Sequence, residues 1–81
     1  MKIEICGPGC AKCHTTFENV RKLVKELGLE QSAEIEEVKD IVAISKKGVF
    51  LTPAVIIDGV KVSEGRIPKA EEIRKWLEER R

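Results

Sequence analysis

The stretch KIEICGPGCAKC, residues 2–13, joins an expected strand to the start of an expected helix through a short turn. Ile3 and Ile5 alternate with polar neighbours, which is the period of a half-buried strand. The Gly-Pro-Gly triplet at residues 7–9 then ends the strand, since glycine and proline are the residues most typical of tight turns. The helix that follows must therefore begin at the carboxyl end of the strand, where open α/β sheets place their functional sites.

Hydrophobic spacing predicts further strands and helices along the rest of the chain. The expected elements are, in order, a long helix with apolar residues from Phe17 to Leu27, a strand over Ala33–Val38, a short helix over Asp40–Lys47, strands over Ala54–Ile57 and Val60–Ser63, and a last helix opened by Pro68. Asp58-Gly59 between the last two strands is typical of a β-hairpin turn. The predicted order is β-α-β-α-β-β-α.

This order predicts an α/β fold built on one mixed sheet. A strand-helix-strand unit requires parallel pairing, whereas the hairpin requires antiparallel pairing. We therefore expect a four-stranded sheet with helices packed on it. A chain of 81 residues is long enough for one hydrophobic core, so a single domain over residues 1–81 is predicted.

Charge and hydropathy exclude several function classes. Fifteen Lys and Arg residues face fourteen Asp and Glu residues, so no basic surface indicates nucleic-acid binding. The longest uncharged run, residues 48–57, is too short to span a bilayer. The chain starts without the apolar segment of a signal peptide, so a cytoplasmic protein with reduced thiols is expected.

The cysteines indicate redox chemistry. All three lie within residues 6–13, whereas structural disulfides would be spread along the chain. Cys10 and Cys13 are three apart on the first helical turn, where Cβ atoms lie about 5–6 Å apart, so a small adjustment would allow a disulfide. Free backbone N–H groups at the helix start, together with the charge of Lys12, favour a thiolate at Cys10.

Four features match a known family: the strand Lys2–Cys6, the sequence GCAKC opening a helix at residues 9–13, Leu51-Thr52-Pro53 before a strand, and the Asp58-Gly59 turn. On these features the whole chain resembles the thioredoxin/glutaredoxin superfamily. It is most similar to the small thioredoxin-like redox-disulfide proteins of archaea and bacteria, so a minimal thioredoxin-like fold is expected.

The resemblance implies a thiol–disulfide oxidoreductase, thioredoxin-like or glutaredoxin-like, in which Cys10 and Cys13 reduce or exchange disulfides of proteins or small molecules. No cofactor is expected in the chain itself, because the electrons must come from a separate reductase or thiol. We expect a monomer that binds neither nucleic acid nor membrane.

The resemblance also implies roles for residues outside the cysteine motif. Pro53 is expected to be cis and to pack against the disulfide, and Thr52 to offer backbone hydrogen bonds to substrate. Glu4 occupies the position of a buried acid that exchanges a proton with Cys13, although a solvated carboxylate fits the sequence equally well. The pair between the cysteines is Ala-Lys and no Trp precedes the motif, so the redox potential and the preferred substrate stay open.

Metal binding is the alternative interpretation. Cys6, Cys10 and Cys13, with His14, are residue types that bind zinc or iron–sulfur clusters, and the short turn allows the three sulfurs to converge. The C-x-x-C-H pattern also occurs at haem attachment sites, but the predicted strands do not fit a helical cytochrome. In the redox interpretation, Cys6 is a buried thiol that packs as a small apolar residue, with an accessory redox role less favoured.

Overall fold

The computed structural model describes residues 1–80 and confirms the predicted order of elements. The elements are β1 Lys2–Cys6, α1 Ala11–Glu26, β2 Glu34–Val38, α2 Ile41–Lys46, β3 Ala54–Ile57, β4 Val60–Glu64 and α3 Ala70–Arg80. The four strands form one sheet in the order β2-β1-β3-β4. β1 pairs with β2 in parallel and with β3 antiparallel, so the sheet is mixed as predicted.

Side chains of β1 alternate between two apolar clusters because successive residues of a strand point to opposite faces. Ile3 and Ile5 pack with residues of α1 and α3 on one face. Cys6 packs on the other face with Ile44 of α2 and neighbouring strand residues. Helices therefore cover both faces of the sheet. The turn before α1 starts directly after β1, whose last residue, Cys6, is buried.

The hairpin between β3 and β4 has the predicted turn. Asp58 and Gly59 have φ angles of 50° and 83°, and two positive values are the mark of a type I′ turn. The Asp58 carboxylate also accepts a hydrogen bond of 2.8 Å from the backbone N–H of Lys2. The hairpin is thereby tied to the start of β1.

The start of α3 corrects the sequence prediction. Pro68 was expected at the first helical position, but α3 begins at Ala70, and the first helical bond runs from the Ile73 N–H to the Lys69 carbonyl. Glu72 reaches back to accept from the Lys69 N–H at 3.1 Å, which is half of a capping box. Lys69 is therefore the cap, and Pro68 lies before it, fully buried.

Smaller differences concern strand ends: β2 begins at Glu34 rather than Ala33, and β4 extends to Glu64. The added residue in β4 matters because Glu64 contacts the loop before β3. Within residues 1–80, no helix is both long and apolar enough to cross a membrane.

Candidate active site

Cys10 is the N-cap residue of α1. Its backbone is extended, with φ −70° and ψ 168°, and its carbonyl accepts the first helical bond from the His14 N–H at 3.0 Å. The first turn of α1 contains no acidic residue. The Cys10 sulfur therefore lies next to unpaired backbone N–H groups with no carboxylate in that turn to oppose a negative charge.

The two cysteines of the motif form a closely spaced thiol pair. Both are free thiols, Cys10 exposed and Cys13 buried, and their sulfurs lie 2.8 Å apart. A disulfide requires about 2.05 Å between the sulfurs. A small approach of the two side chains therefore suffices to form the bond, without rearrangement of the helix.

Hydrogen bonding lowers the pKa of the Cys10 thiol below its ordinary value. The largest cause is the hydrogen bond from the Cys13 side chain, followed by the backbone N–H of Cys13. Lys12 contributes through its backbone N–H, whereas the sequence had suggested its charge. Cys10 is therefore the thiol of this pair that ionises first.

The pKa of Cys13 is shifted in the opposite direction. Burial is the largest cause that raises it, and its hydrogen bond to Cys10 adds to the effect. The exposed Cys10 thiol is therefore the more acidic of the pair and the buried Cys13 thiol the less acidic, which is the order that two-step disulfide exchange requires.

Gly7, which the sequence predicts only as a turn residue, lies directly against Cys13. A Cβ atom at this position would overlap the Cys13 sulfur and lie 2.8 Å from the Cys13 Cβ. The Gly7 N–H donates to the Val38 carbonyl at 2.9 Å, which ties the turn to β2. The sequence indicates this role only by the place of Gly7 in the turn before the C-x-x-C motif. The contact with Cys13 depends on tertiary structure.

Thr52, in the loop before β3, lies close to the contact between Gly7 and Cys13. The Cβ of Thr52 lies 3.9 Å from the position that a Gly7 Cβ would occupy. The Thr52–Pro53 peptide bond is cis, as the resemblance implied. Pro53 is fully buried, and its carbonyl accepts from the Gly65 N–H at 2.9 Å. The structure thus places Thr52 and Cys13 next to the same residue, Gly7.

Comparison with known proteins identifies the family. The family model described as a thioredoxin domain matches residues 1–78. The chain belongs to the thioredoxin family. It is 51% identical over 75 residues to a thioredoxin of Methanocaldococcus jannaschii, covering 93% of this chain and 84% of the relative. It is 42% identical over 77 residues to a thioredoxin of Methanothermobacter thermautotrophicus, covering 95% of this chain and 97% of the relative.

Membership of the thioredoxin family, together with the Cys10–Cys13 pair, confirms the predicted activity of a thiol–disulfide oxidoreductase. The family also implies disulfide substrates and a reductase partner. The chemistry is therefore the transfer of two electrons between one pair of sulfurs and another.

Glu4 is buried in this thioredoxin-family site rather than solvated. Its carboxylate forms an ion pair with the Lys47 ammonium at 2.5 Å, so the buried charge is compensated. The main influences on the pKa of Cys13 are burial and Cys10, whereas the Glu4 charge acts on Cys6. The structure therefore pairs Glu4 with Lys47, and proton exchange with Cys13 stays a prediction.

Cys6 is fully buried in the cluster under α2. Burial raises the pKa of its thiol, and the negative charge of Glu4 raises it further, while Lys47 opposes both. A buried thiol with a raised pKa is a poor nucleophile at neutral pH. The expectation that Cys6 packs as a small apolar residue agrees with this environment.

The metal-binding alternative has no support in the arrangement of side chains. Within the described part of the chain, no three His, Cys, Asp or Glu side chains are grouped so that they could hold a metal ion. The sequence left open whether Cys6 converges with Cys10 and Cys13, but Cys6 packs beneath α2 while Cys10 is at the surface. His14 is exposed on α1.

Proposed function

We propose that Cys10 is the attacking nucleophile and Cys13 the resolving thiol of this oxidoreductase. The observation that carries the proposal is the pairing of an exposed Cys10 sulfur with a buried Cys13 sulfur 2.8 Å away. The opposite pKa shifts of the two thiols support it. Only the exposed sulfur is placed to meet a disulfide of another molecule.

In the first step the Cys10 thiolate attacks one sulfur of the substrate disulfide. The Cys10–substrate bond forms, the substrate S–S bond breaks, and the second substrate sulfur leaves as a thiolate that takes a proton from water. In the second step Cys13 loses its proton to solvent and attacks the Cys10 sulfur. This releases the remaining substrate thiol and leaves Cys10–Cys13 oxidised, so two electrons have passed to the substrate.

A separate reductase or thiol then returns two electrons to the Cys10–Cys13 disulfide. The proximity of Thr52 to the Gly7–Cys13 contact supports a role for Thr52 and Pro53 in binding the extended backbone of the substrate. One sheet carries all four strands, which supports a single domain over residues 1–81, and the protein is proposed to act as a monomer. The use of reactive rather than structural cysteines suits a cytoplasmic location.

The test is reduction of insulin disulfides with a dithiol as electron donor. The protein should accelerate insulin precipitation over the dithiol alone, and Cys10→Ser should remove the acceleration. Lys12→Ala is a suitable control because Lys12 acts on Cys10 through its backbone, which the substitution keeps. Equal activity of Cys10→Ser and the wild type would disprove the assignment of the nucleophile.

A further inference from the structure

The carboxylate of Glu64, at the end of β4, is bonded to the backbone of loop 48–52, which leads into β3. One carboxylate oxygen accepts from the N–H of Phe50 at 2.6 Å and from the N–H of Leu51 at 3.1 Å. The other accepts from the Lys61 ammonium at 2.9 Å. These bonds lower the pKa of Glu64 to about 2, and the bond from Lys61 is the largest cause. The carboxylate is therefore ionised at neutral pH.

Lys61 extends the same network to the start and the middle of the loop. Its ammonium also donates to the Gly48 carbonyl at 3.0 Å and lies 5.9 Å from the centre of the Phe50 ring, within the range of a cation–π contact. The Lys61–Glu64 ion pair of β4 thus holds the loop backbone at three residues, Gly48, Phe50 and Leu51. Val49 of the loop packs in the core, whereas the network fixes the backbone of the neighbouring residues whose side chains are exposed.

The loop exposes two large apolar side chains side by side. Phe50 is 84% exposed and Leu51 63% exposed, and we call this pair the apolar lip. Leu51 leans across Gly65, where an added Cβ would lie 3.1 Å from the Leu51 Cβ. The next residue along the chain is Thr52, which lies close to the contact between Gly7 and Cys13. The apolar lip is therefore continuous with the segment that approaches the cysteines.

We propose that Glu64 is a positioning residue that holds the apolar lip ready to bind the apolar side chains flanking the cysteine in a protein disulfide. The inference rests on the proposed function, in which substrate binds along Thr52 and Pro53. Contact with a flanking apolar side chain removes the exposed surface of Phe50 and Leu51 from water, which favours binding. Because Glu64 has already ordered the loop, the entropy cost of ordering it on binding is reduced.

The proposal separates two kinds of substrate. A protein disulfide brings flanking side chains to the apolar lip, whereas a small aromatic disulfide such as dithiobis(nitrobenzoic acid) brings no peptide segment. Loss of the Glu64 charge should therefore affect the reduction of insulin more than the reduction of the small disulfide. Glu64→Gln keeps the size of the side chain and removes the ion pair with Lys61.

The experiment measures kcat/KM for both substrates in Glu64→Gln, Phe50→Ala and the wild type. We expect the ratio of the insulin value to the small-disulfide value to fall about fivefold in each variant, through a rise in the KM for insulin. Glu71→Gln is the matched control, because Glu71 is exposed on α3 and the exchange of carboxylate for amide is the same. Its ratio should equal that of the wild type.

Amide hydrogen exchange provides a readout that does not depend on activity. In Glu64→Gln the N–H groups of Phe50 and Leu51 should exchange faster, while those of β1 keep the wild-type rate. An unchanged substrate ratio, or unchanged exchange at both amides, would overturn the proposal. So would a wild-type dimer in sedimentation that Phe50→Ala dissociates, because the lip would then bind a second copy. Failure of the wild type to reduce either disulfide would instead disprove the proposed function.

Discussion

Gly7 packs against Cys13 so closely that a single added methyl group would overlap the Cys13 sulfur. Gly7 is the first residue of the turn between β1 and the motif, and the Thr52 Cβ lies 3.9 Å from the position that an added Gly7 Cβ would occupy. At position 7 the Cys13 thiol therefore has backbone rather than a side chain against it. The position of Cys13 is set by this contact as well as by its place on α1.

Gly7→Ala should displace Cys13 and slow the resolving step. The overlap is with a buried side chain, so a destabilisation of about 1–3 kcal/mol is expected from overpacking. Chemical denaturation measures the loss of stability, and the lifetime of the mixed disulfide with substrate measures the resolving step. Gly28→Ala is the control, since an added Cβ there meets no atom within 4 Å although φ is +69°. A Gly7→Ala variant with wild-type mixed-disulfide lifetime would contradict this role.

Cys10 should alkylate faster than Cys13 in the reduced protein, with a pH midpoint below that of a free thiol at about 8.5. The hydrogen bond from Cys13 is the largest cause of the lowered pKa of Cys10. Cys13→Ala removes the donor and should shift the Cys10 alkylation profile to higher pH. Cys13→Ser keeps a donor and should shift it less. Identical profiles in both variants would show that the Cys13 side chain does not stabilise the thiolate.

Cys13→Ser should also trap substrates covalently. The Cys10–substrate bond forms as in the wild type, but no thiol is then available at position 13 to break it. The adduct with a disulfide substrate is detected by mass and released by reductant. The double variant Cys10→Ser/Cys13→Ser is the control and should form none. A trapped adduct in the double variant would show that Cys6, the remaining cysteine, is the nucleophile.

Cys6→Ser should keep most of the disulfide-reductase activity. Cys6 is fully buried in an apolar cluster, so a hydroxyl there should cost about 1–3 kcal/mol of unfolding free energy. Cys6→Ala keeps the site apolar and should cost less, which separates polarity from chemistry. The wild type should stay folded in chelator, because a structural metal site would lose folding free energy on chelation. Loss of activity in a stable Cys6→Ala variant would give Cys6 a redox role.

Glu72→Gln should remove part of the acid dependence of stability. Two bonds of 2.7 Å from Arg66 and one from the Lys69 N–H lower the pKa of Glu72 to about 2 from its ordinary value of 4.5. A lowered carboxyl pKa gives stability that is present above 4.5 and is lost as the pH falls towards 2. The variant should melt a few degrees lower at pH 7 and differ less from the wild type at pH 2. A constant difference across this range would exclude the ion pair as the cause.

Local sequence determines the strand, the turn and the motif of this protein. Alternation of Ile3 and Ile5 defines β1, glycine and proline end it, and Asp58-Gly59 defines the hairpin. Each pattern acts over a few residues, where backbone conformation and hydrophobic period are decided by neighbours in the chain. The place of Cys10 and Cys13 at a helix start beyond a strand follows from the same patterns.

Only the tertiary structure decides which side chains meet. The Glu4–Lys47 ion pair, the contact of Gly7 with Cys13 and the bonds of Glu64 to the loop before β3 join residues from different elements. The same holds for α3, whose start shifts from Pro68 to Ala70 because Pro68 is buried and Glu72 caps Lys69. Hydrophobic period assigns a residue to a face but not to a partner, because the partner depends on how the elements pack together.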